Sequence, residues 1–472
     1  MRKSRIYCMI ICLMLFLSMI PFESFATQTD MIDTSVTSGC NTLDGTAPLL
    51  GQDKVMKTAQ AGILYEVNSG TLMYAWNPDL KVQPASLTKI MTCMLALEHC
   101  DINDKVVVTE TAMKSLPKNS ATLKFKVGEQ FTVDQLLYAL MVGSANDAAV
   151  VLAEHIAGSQ EAFVVMMNQK LAEIGCKDTC FKNAHGLHEE GMYTTARDIA
   201  RLVNVAIESE QFMVYFGKTS YKLPATEHSE ERYFETSNYL LTIGTPLYYD
   251  SRVTGGRTGI TDDSLRSIVV TAESGGMKMI SVALCGTPSF NDKGIIKWFG
   301  NYEEAKQLLN IGFENNSICQ VLYAGQNLGQ FHVVNGTNAV AVGPLNSVNV
   351  VLPSGIEMQD LIVRYGNMSG SINAPVKAGE QITSAEVWYG NVCVAFSPVV
   401  SMNGSRVDHG SPLQENRYGG SSKFLIVVLI ILLVVALGFG AYILIRRALH
   451  GVVSVKTTRL YRRRRIDRRR TK

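Results

Sequence analysis

The chain has 472 residues, 47% of them hydrophobic and 18% charged, enough for about two to three domains with ordinary cores and too apolar for a disordered chain. The formal net charge of +2 conceals an asymmetry, because the stretch from Arg446 to Lys472 holds 12 Lys/Arg against one Asp. An acidic body followed by a basic tail is not the pattern of a uniformly basic nucleic-acid binder, and no nucleic-acid partner is expected.

Residues 1–26 have the layout of a secretory signal peptide. Arg2, Lys3 and Arg5 precede an apolar run over 6–20, and Ser24 and Ala26 put small residues at −3 and −1 of a cut after Ala26. Residues 27–50, rich in Thr, Ser, Asp and Gly, read as a flexible leader. Two strand-like runs between Ala61 and Trp76 flank Asn68-Ser69-Gly70, a hairpin signal. Pro84 stops regular structure, and Ser86 opens a helix to about Glu98 with a broad apolar face. Further helices are expected over 133–140, 145–156 and 161–174, and another, capped by Thr195, to about Glu208. Strand runs at 267–272 and 279–284 follow Arg257, and a helix over 302–309 ends at Gly312.

From Cys319 onward the texture changes to Val, Gly and Asn, with short alternating runs at 330–334 and 386–394, a small β-rich domain. The organisation expected is a main domain over 51–300, a β-rich accessory domain with a leading helix over 301–400, and a stalk over 401–423. Residues 424–445 carry no charge and as a helix would extend about 33 Å, enough for the hydrocarbon core of a bilayer. The arginines that follow place the tail, 446–472, on the cytoplasmic side, close to anionic lipids, with the body outside the cell membrane. Removing Cys8 and Cys12 with the signal leaves eight cysteines. An even number outside the cell invites a disulfide reading, yet their scattered apolar settings suit free thiols equally well. Their spacing matches no zinc site.

Three short motifs carry chemistry. In Ser86-Leu87-Thr88-Lys89, a hydroxyl sits at a helix start, where free N–H groups favour a developing oxyanion, and a lysine follows on the same face. A lysine pressed among apolar neighbours loses its proton more readily and can activate the hydroxyl. In Ser144-Ala145-Asn146, at a break between helices, an amide can hold a carbonyl and a hydroxyl can pass a proton to a leaving amine. In Gly255-Gly256-Arg257-Thr258-Gly259, a cation and a hydroxyl between glycines can approach a carboxylate closely. Each motif has a bland reading, as a helix cap or a glycine-rich turn. Their order within one exported domain is far more specific.

With Pro84-Ala85-Ser86-Leu87-Thr88-Lys89-Ile90-Met91-Thr92, Ser144-Ala145-Asn146-Asp147-Ala148, His185-Gly186-Leu187, Thr195-Ala196-Arg197-Asp198 and Arg257-Thr258-Gly259, the chain resembles the D-alanyl-D-alanine carboxypeptidases, the low-molecular-mass penicillin-binding proteins. The resemblance is close over 51–290 and looser over 319–400. It implies the α/β (α+β) penicillin-binding, serine β-lactamase-like transpeptidase fold, an antiparallel sheet flanked by helices and a mostly helical lobe, with the active site between them.

It also implies that Ser86 is the nucleophile, Lys89 its base, and that Ser144 and Asn146 line the opposite wall. The N–H groups of Ser86 and Ile260 would form the oxyanion hole. Arg257, Thr258 and Gly259 would hold the substrate's terminal carboxylate, with Lys278 on the next stretch of sheet assisting. The substrate would be the peptidoglycan stem pentapeptide, cleaved through an acyl-enzyme, and β-lactams would acylate Ser86. No cofactor or metal is implied.

Arg257 departs from the family, which mostly has Lys there. A purely electrostatic role predicts that lysine at 257 retains most activity, whereas a forked guanidinium contact predicts a clear loss. The spanning anchor departs as well, since relatives often use an amphipathic surface helix. Three other readings compete. A β-lactamase would need a water-activating glutamate, for which Glu173, Glu189 and Glu190 are the nearest acids. A non-catalytic penicillin-binding or scaffold module would follow if Arg257 had removed activity. A metallopeptidase around His185, His188 and Glu189 lacks the HExxH pattern.

Overall fold

Gly70, at φ +70°, reverses the chain between β1 (Ala61–Glu66) and β2 (Thr71–Trp76) and closes the expected hairpin. The computed structural model describes residues 42–45, 48–50, 55–118, 120–290, 296–366 and 371–407. The expected signal peptide, the apolar run 424–445 and the basic tail lie outside the described residues.

A 3-10 turn (Ala85–Thr88) leads into α1 (Lys89–His99), whose residues from Lys89 to Ala96 are all buried. Then come β3 (Lys105–Val107), α2 (Glu110–Lys114), β4 (Gln130–Thr132), α3 (Val133–Met141), α4 (Asn146–Ala157), α5 (Gln160–Glu173), α6 (Ala196–Ala206) and α7 (Glu210–Phe216). Caps fix several starts: Thr132 and Gln135 form a capping box on α3, and the Thr195 side chain accepts from Asp198 N–H at the head of α6. The hairpin β5 (Ser220–Leu223) and β6 (Arg232–Glu235) precedes three long strands, β7 (Val253–Ile260), β8 (Arg266–Ser274) and β9 (Met277–Gly286). A short pair, β10 (Ser289–Phe290) and β11 (Ile296–Trp298), leads to α8 (Gly300–Phe313).

The main sheet has the order β2-β1-β9-β8-β7, antiparallel throughout, with β7 at one edge. Its inner strands β1, β9 and β8 are apolar on both faces because each face has its own core. Ile63, Val269, Ile280 and Val282 face a cluster built from α1, α3, α4 and α6. Their neighbours Leu64, Ile268, Val270 and Met279 face the other way, onto Ala305, Leu308 and Leu309 of α8.

The β-rich domain contains β12 (Asn316–Leu322) paired with β15 (Val348–Pro353), and β13 (Gly329–Val334), β14 (Val340–Pro344), β16 (Leu361–Tyr365), β17 (Gln381–Tyr389) and β18 (Val392–Ser401) in the order β16-β17-β18-β14-β13. Residues 333–338, 372–375 and 405–407 belong to a second compact unit.

Three expectations change. The run 386–394 is not one strand: Gly390, at φ +57°, turns it into the β17–β18 hairpin. Part of the leader 27–50 is docked, since Arg197 Nη1 donates to Leu43 O, Arg201 pairs with Asp44, and the N–H groups of Leu49 and Leu50 donate to Leu72 O and Met73 O on β2. Ser401, at the head of the expected stalk, ends a strand, and Asn403 Oδ1 accepts from Ala341 N–H. Among the described residues, Cys93, Cys100, Cys176, Cys180, Cys285 and Cys319 are free, and Cys393 is disulfide-bonded. No single helix among the described residues is long and apolar enough to cross a membrane; α4 and α5 pass that test only as a pair bent by 85°.

Candidate active site

The expected helix start at Ser86 is instead the 3-10 turn, one turn ahead of α1. Ala85 is left-handed at φ +48°, a conformation that an alanine holds only under tertiary constraint. Two glycines make room for that turn. A Cβ on Gly186 (φ +88°) would lie 1.9 Å from Ala85 O, and one on Gly259 of β7 would lie 3.2 Å from Ala85 Cβ and 3.4 Å from Ser86 N. The serine is thereby seated between the edge strand and the 183–187 loop. Opposite it, Ser144 follows α3 and is also left-handed, at φ +55°.

Lys89 is fully buried. Its Nζ lies 3.1 Å from Ser86 Oγ, 2.7 Å from Asn146 Oδ1 and 2.6 Å from the His185 carbonyl. Ser86 Oγ is 3.3 Å from Ser144 Oγ. Burial holds the Lys89 pKa well below the usual lysine value; the Arg257 charge pushes the same way, and Asp147 opposes them. Asp147 is itself buried and accepts from Leu123, Phe125 and Ala148 N–H, which ties the loop before β4 to the head of α4. The His185 ring is buried too, and burial together with the Lys89 charge pushes its pKa down to about 3.

Side chains alternate along β7. Arg257 points toward the helical lobe and is 2% exposed. Nε donates to Ser86 O at 3.2 Å, Nη1 to Met141 O at 2.7 Å and Nη2 to Ser144 Oγ at 2.6 Å. The cation expected to reach for a carboxylate is thus turned onto three protein acceptors. Thr258 faces the other way and shares a hydrogen bond with the Ser237 hydroxyl. Thr261 N–H bonds to Leu265 O, so antiparallel alternation turns the Ile260 N–H away from β8, toward the open edge.

Ser86, Lys89, Ser144, Asn146, Arg257, Thr258, Gly259 and Ile260 therefore converge, and Lys278 does not. Arg257 faces Val269 and Val269 faces Val282, whereas Lys278 faces Glu273 near the Gly275-Gly276 turn and pairs with it at 3.6 Å. Four residues along a strand amount to about 13 Å, on top of a displacement of two strands. The carbonyls of Met141 and His185 and the hydroxyl of Ser237 also join the site. Main-chain acceptors leave no mark in a sequence, and Ser237 belongs to no motif.

Residues 51–287 match the family model described as D-alanyl-D-alanine carboxypeptidase. The chain belongs to the D-alanyl-D-alanine carboxypeptidase family. Residues 318–404 of this carboxypeptidase-family chain match the model for the penicillin-binding protein 5 C-terminal domain. It is 31% identical over 336 residues to a D-alanyl-D-alanine carboxypeptidase of Haemophilus influenzae (DacA), covering 69% of this chain and 79% of that one. It is 27% identical over 350 residues to a D-alanyl-D-alanine carboxypeptidase of Bacillus subtilis (DacF), covering 73% and 85%. The crystal structure of penicillin binding protein 5 from Haemophilus influenzae superposes with a TM-score of 0.63 at 28% identity, over 75% of this chain and 100% of that one.

Proposed function

We propose that this carboxypeptidase removes the terminal D-alanine of peptidoglycan stem pentapeptides through an acyl-enzyme on Ser86. One observation carries the reading: a lysine with no access to water, bonded to a serine hydroxyl at 3.1 Å. A neutral amine has two protons and one lone pair. Asn146 Oδ1 and the His185 carbonyl can only accept, so they take both protons, and the lone pair is left for Ser86 Oγ–H. The neutral form of Lys89 is then oriented toward the serine, and burial favours that form, the two requirements of a general base.

Ser86 Oγ attacks the penultimate carbonyl while its proton moves to Lys89. The oxyanion is met by the N–H groups of Ser86 and Ile260. Ser144, in reach of Ser86 Oγ and bonded to Arg257, passes a proton to the departing D-alanine nitrogen and regains one from Lys89, which returns to the neutral amine. Water then attacks the ester with Lys89 again as base. β-Lactams would be trapped at the ester stage. Incubating the purified ectodomain with a stem pentapeptide and measuring released D-alanine tests the activity. Release by wild type and none by a folded Ser86→Ala protein is expected; equal release by both would overturn the assignment.

The enzyme is held at the membrane by 424–445, with its catalytic domain outside and its basic tail inside, against anionic headgroups. Protease added to intact cells should remove an epitope at 320–400 and spare one after Lys472. Loss of the tail epitope from sealed cells would refute this topology.

A further inference from the structure

Arg257 reaches Ser86, Met141 and Ser144, and Lys278 stands apart from the cleft, so the terminal carboxylate needs another receptor. We infer that Ser237 is a substrate-binding residue, its hydroxyl acting with that of Thr258 to hold the C-terminal carboxylate of the peptide. The inference rests on the carboxypeptidase reading of the site and deepens it.

Three observations support it. Ser237 Oγ, on the bend after β6, is hydrogen-bonded to Thr258 Oγ1 of the edge strand that carries Ile260, Thr258 being 8% exposed and Ser237 open to solvent. Two adjacent hydroxyls can rotate to give one proton to each oxygen of a carboxylate. Ser237 is also held in place. Its carbonyl accepts from Tyr302 Oη, and that tyrosine is 3% exposed within a cluster with Tyr239, Tyr248 and Phe299. Next to it Asn238 is 1% exposed, with Oδ1 bound by Leu240 N–H. Its Nδ2 has no hydrogen-bond partner among the described residues and would stand 2.4 Å from a Cβ on Gly256. A donor is thus left over beside the same strand.

The test compares a diacyl-D-alanyl-D-alanine peptide with the same peptide amidated at its C-terminus, for wild type, Ser237→Ala, Ser237→Thr and Ser237→Asp. A hydroxyl bonded to a charged acceptor predicts that Ser237→Ala raises KM for the free acid about 10-fold, with kcat within about two-fold and the amide unaffected. Ser237→Thr should restore KM. Ser237→Asp should penalise the acid more than Ser237→Ala does and spare the amide, because like charges repel. Equal effects on acid and amide, or no change in KM for the acid, would overturn the role of Ser237. A wild type that releases no D-alanine and takes no penicillin label would instead sink the underlying carboxypeptidase reading.

Discussion

Replacing Arg257 by lysine keeps the charge and removes the fork. The lysine ammonium would stand near the position of the guanidinium carbon, short of all three acceptors that Arg257 reaches at 3.2, 2.7 and 2.6 Å. One nitrogen can move to one of them, here Ser144 Oγ, the shortest of the three contacts. Met141 O, at the C-terminal end of α3, and Ser86 O would then lose charged donors. Each such bond is worth about 1.5–3 kcal/mol, and leaving a buried acceptor unpaired adds to the loss. Allowing for relaxation, a net deficit of about 2 kcal/mol would slow acylation roughly 30-fold, since 1.36 kcal/mol is tenfold in rate. The second-order rate of labelling by a fluorescent penicillin measures this directly, with a thermal melt to confirm folding. Labelling of Arg257→Lys within two-fold of wild type would show that charge alone matters and that the fork is incidental. The geometry thus favours the forked contact over the purely electrostatic role that a family lysine suggests.

Two further outcomes are expected. Acylation should rise with pH through the lowered pKa of Lys89, because the neutral amine is the base, and Arg257→Ala should move that limb to higher pH by removing a cation that depresses it; a flat profile or a shift the other way contradicts the scheme. His185 stays neutral over this range and should not define the limb. Gly186→Ala would drive a Cβ to 1.9 Å from Ala85 O at φ +88°, lowering stability by roughly 2–5 kcal/mol in urea melts and penicillin labelling with it, and an unchanged melt would refute the packing account.

The parts of this site legible in the sequence are those fixed by local geometry. Ser86 and Lys89 meet because three residues bring them to one face of a turn, and Ser144 and Asn146 stand where a helix pattern breaks. Arg257 was legible as a member of the site but not in its aim, which depends on β7 alternation and on a main-chain carbonyl from α3. Lys278 was misplaced for a related reason. Twenty-one residues separate it from Arg257 in the chain, but strand register, invisible without pairing partners, puts it opposite Glu273. In the fold, the helices expected over 133–140, 145–156 and 161–174 fell within a residue or two of expectation, whereas the short capped helices α2 and α7 were not expected. The glycine-rich β7 was legible only as a strand edge near a ligand, because much of its packing comes from Arg257 and from neighbours such as Phe216 and Asn238.

The arginine also bears on which group serves as base. Lys89 and Arg257 are both buried beside Ser86 and each disfavours the other's charge. With two lysines in those places, the loss of a proton would belong to the pair, and neither residue could be named as the base from structure alone. A guanidinium holds its proton far more tightly than an ammonium, and even with burial pulling Arg257 down to about 10 it remains charged at neutral pH. The proton that leaves is therefore the one on Lys89, the residue whose other two bonds point its lone pair at the serine. What looks like a departure from the family pattern resolves an ambiguity in the proton inventory of the site. It does so with a side chain whose fork also holds the left-handed Ser144 against β7.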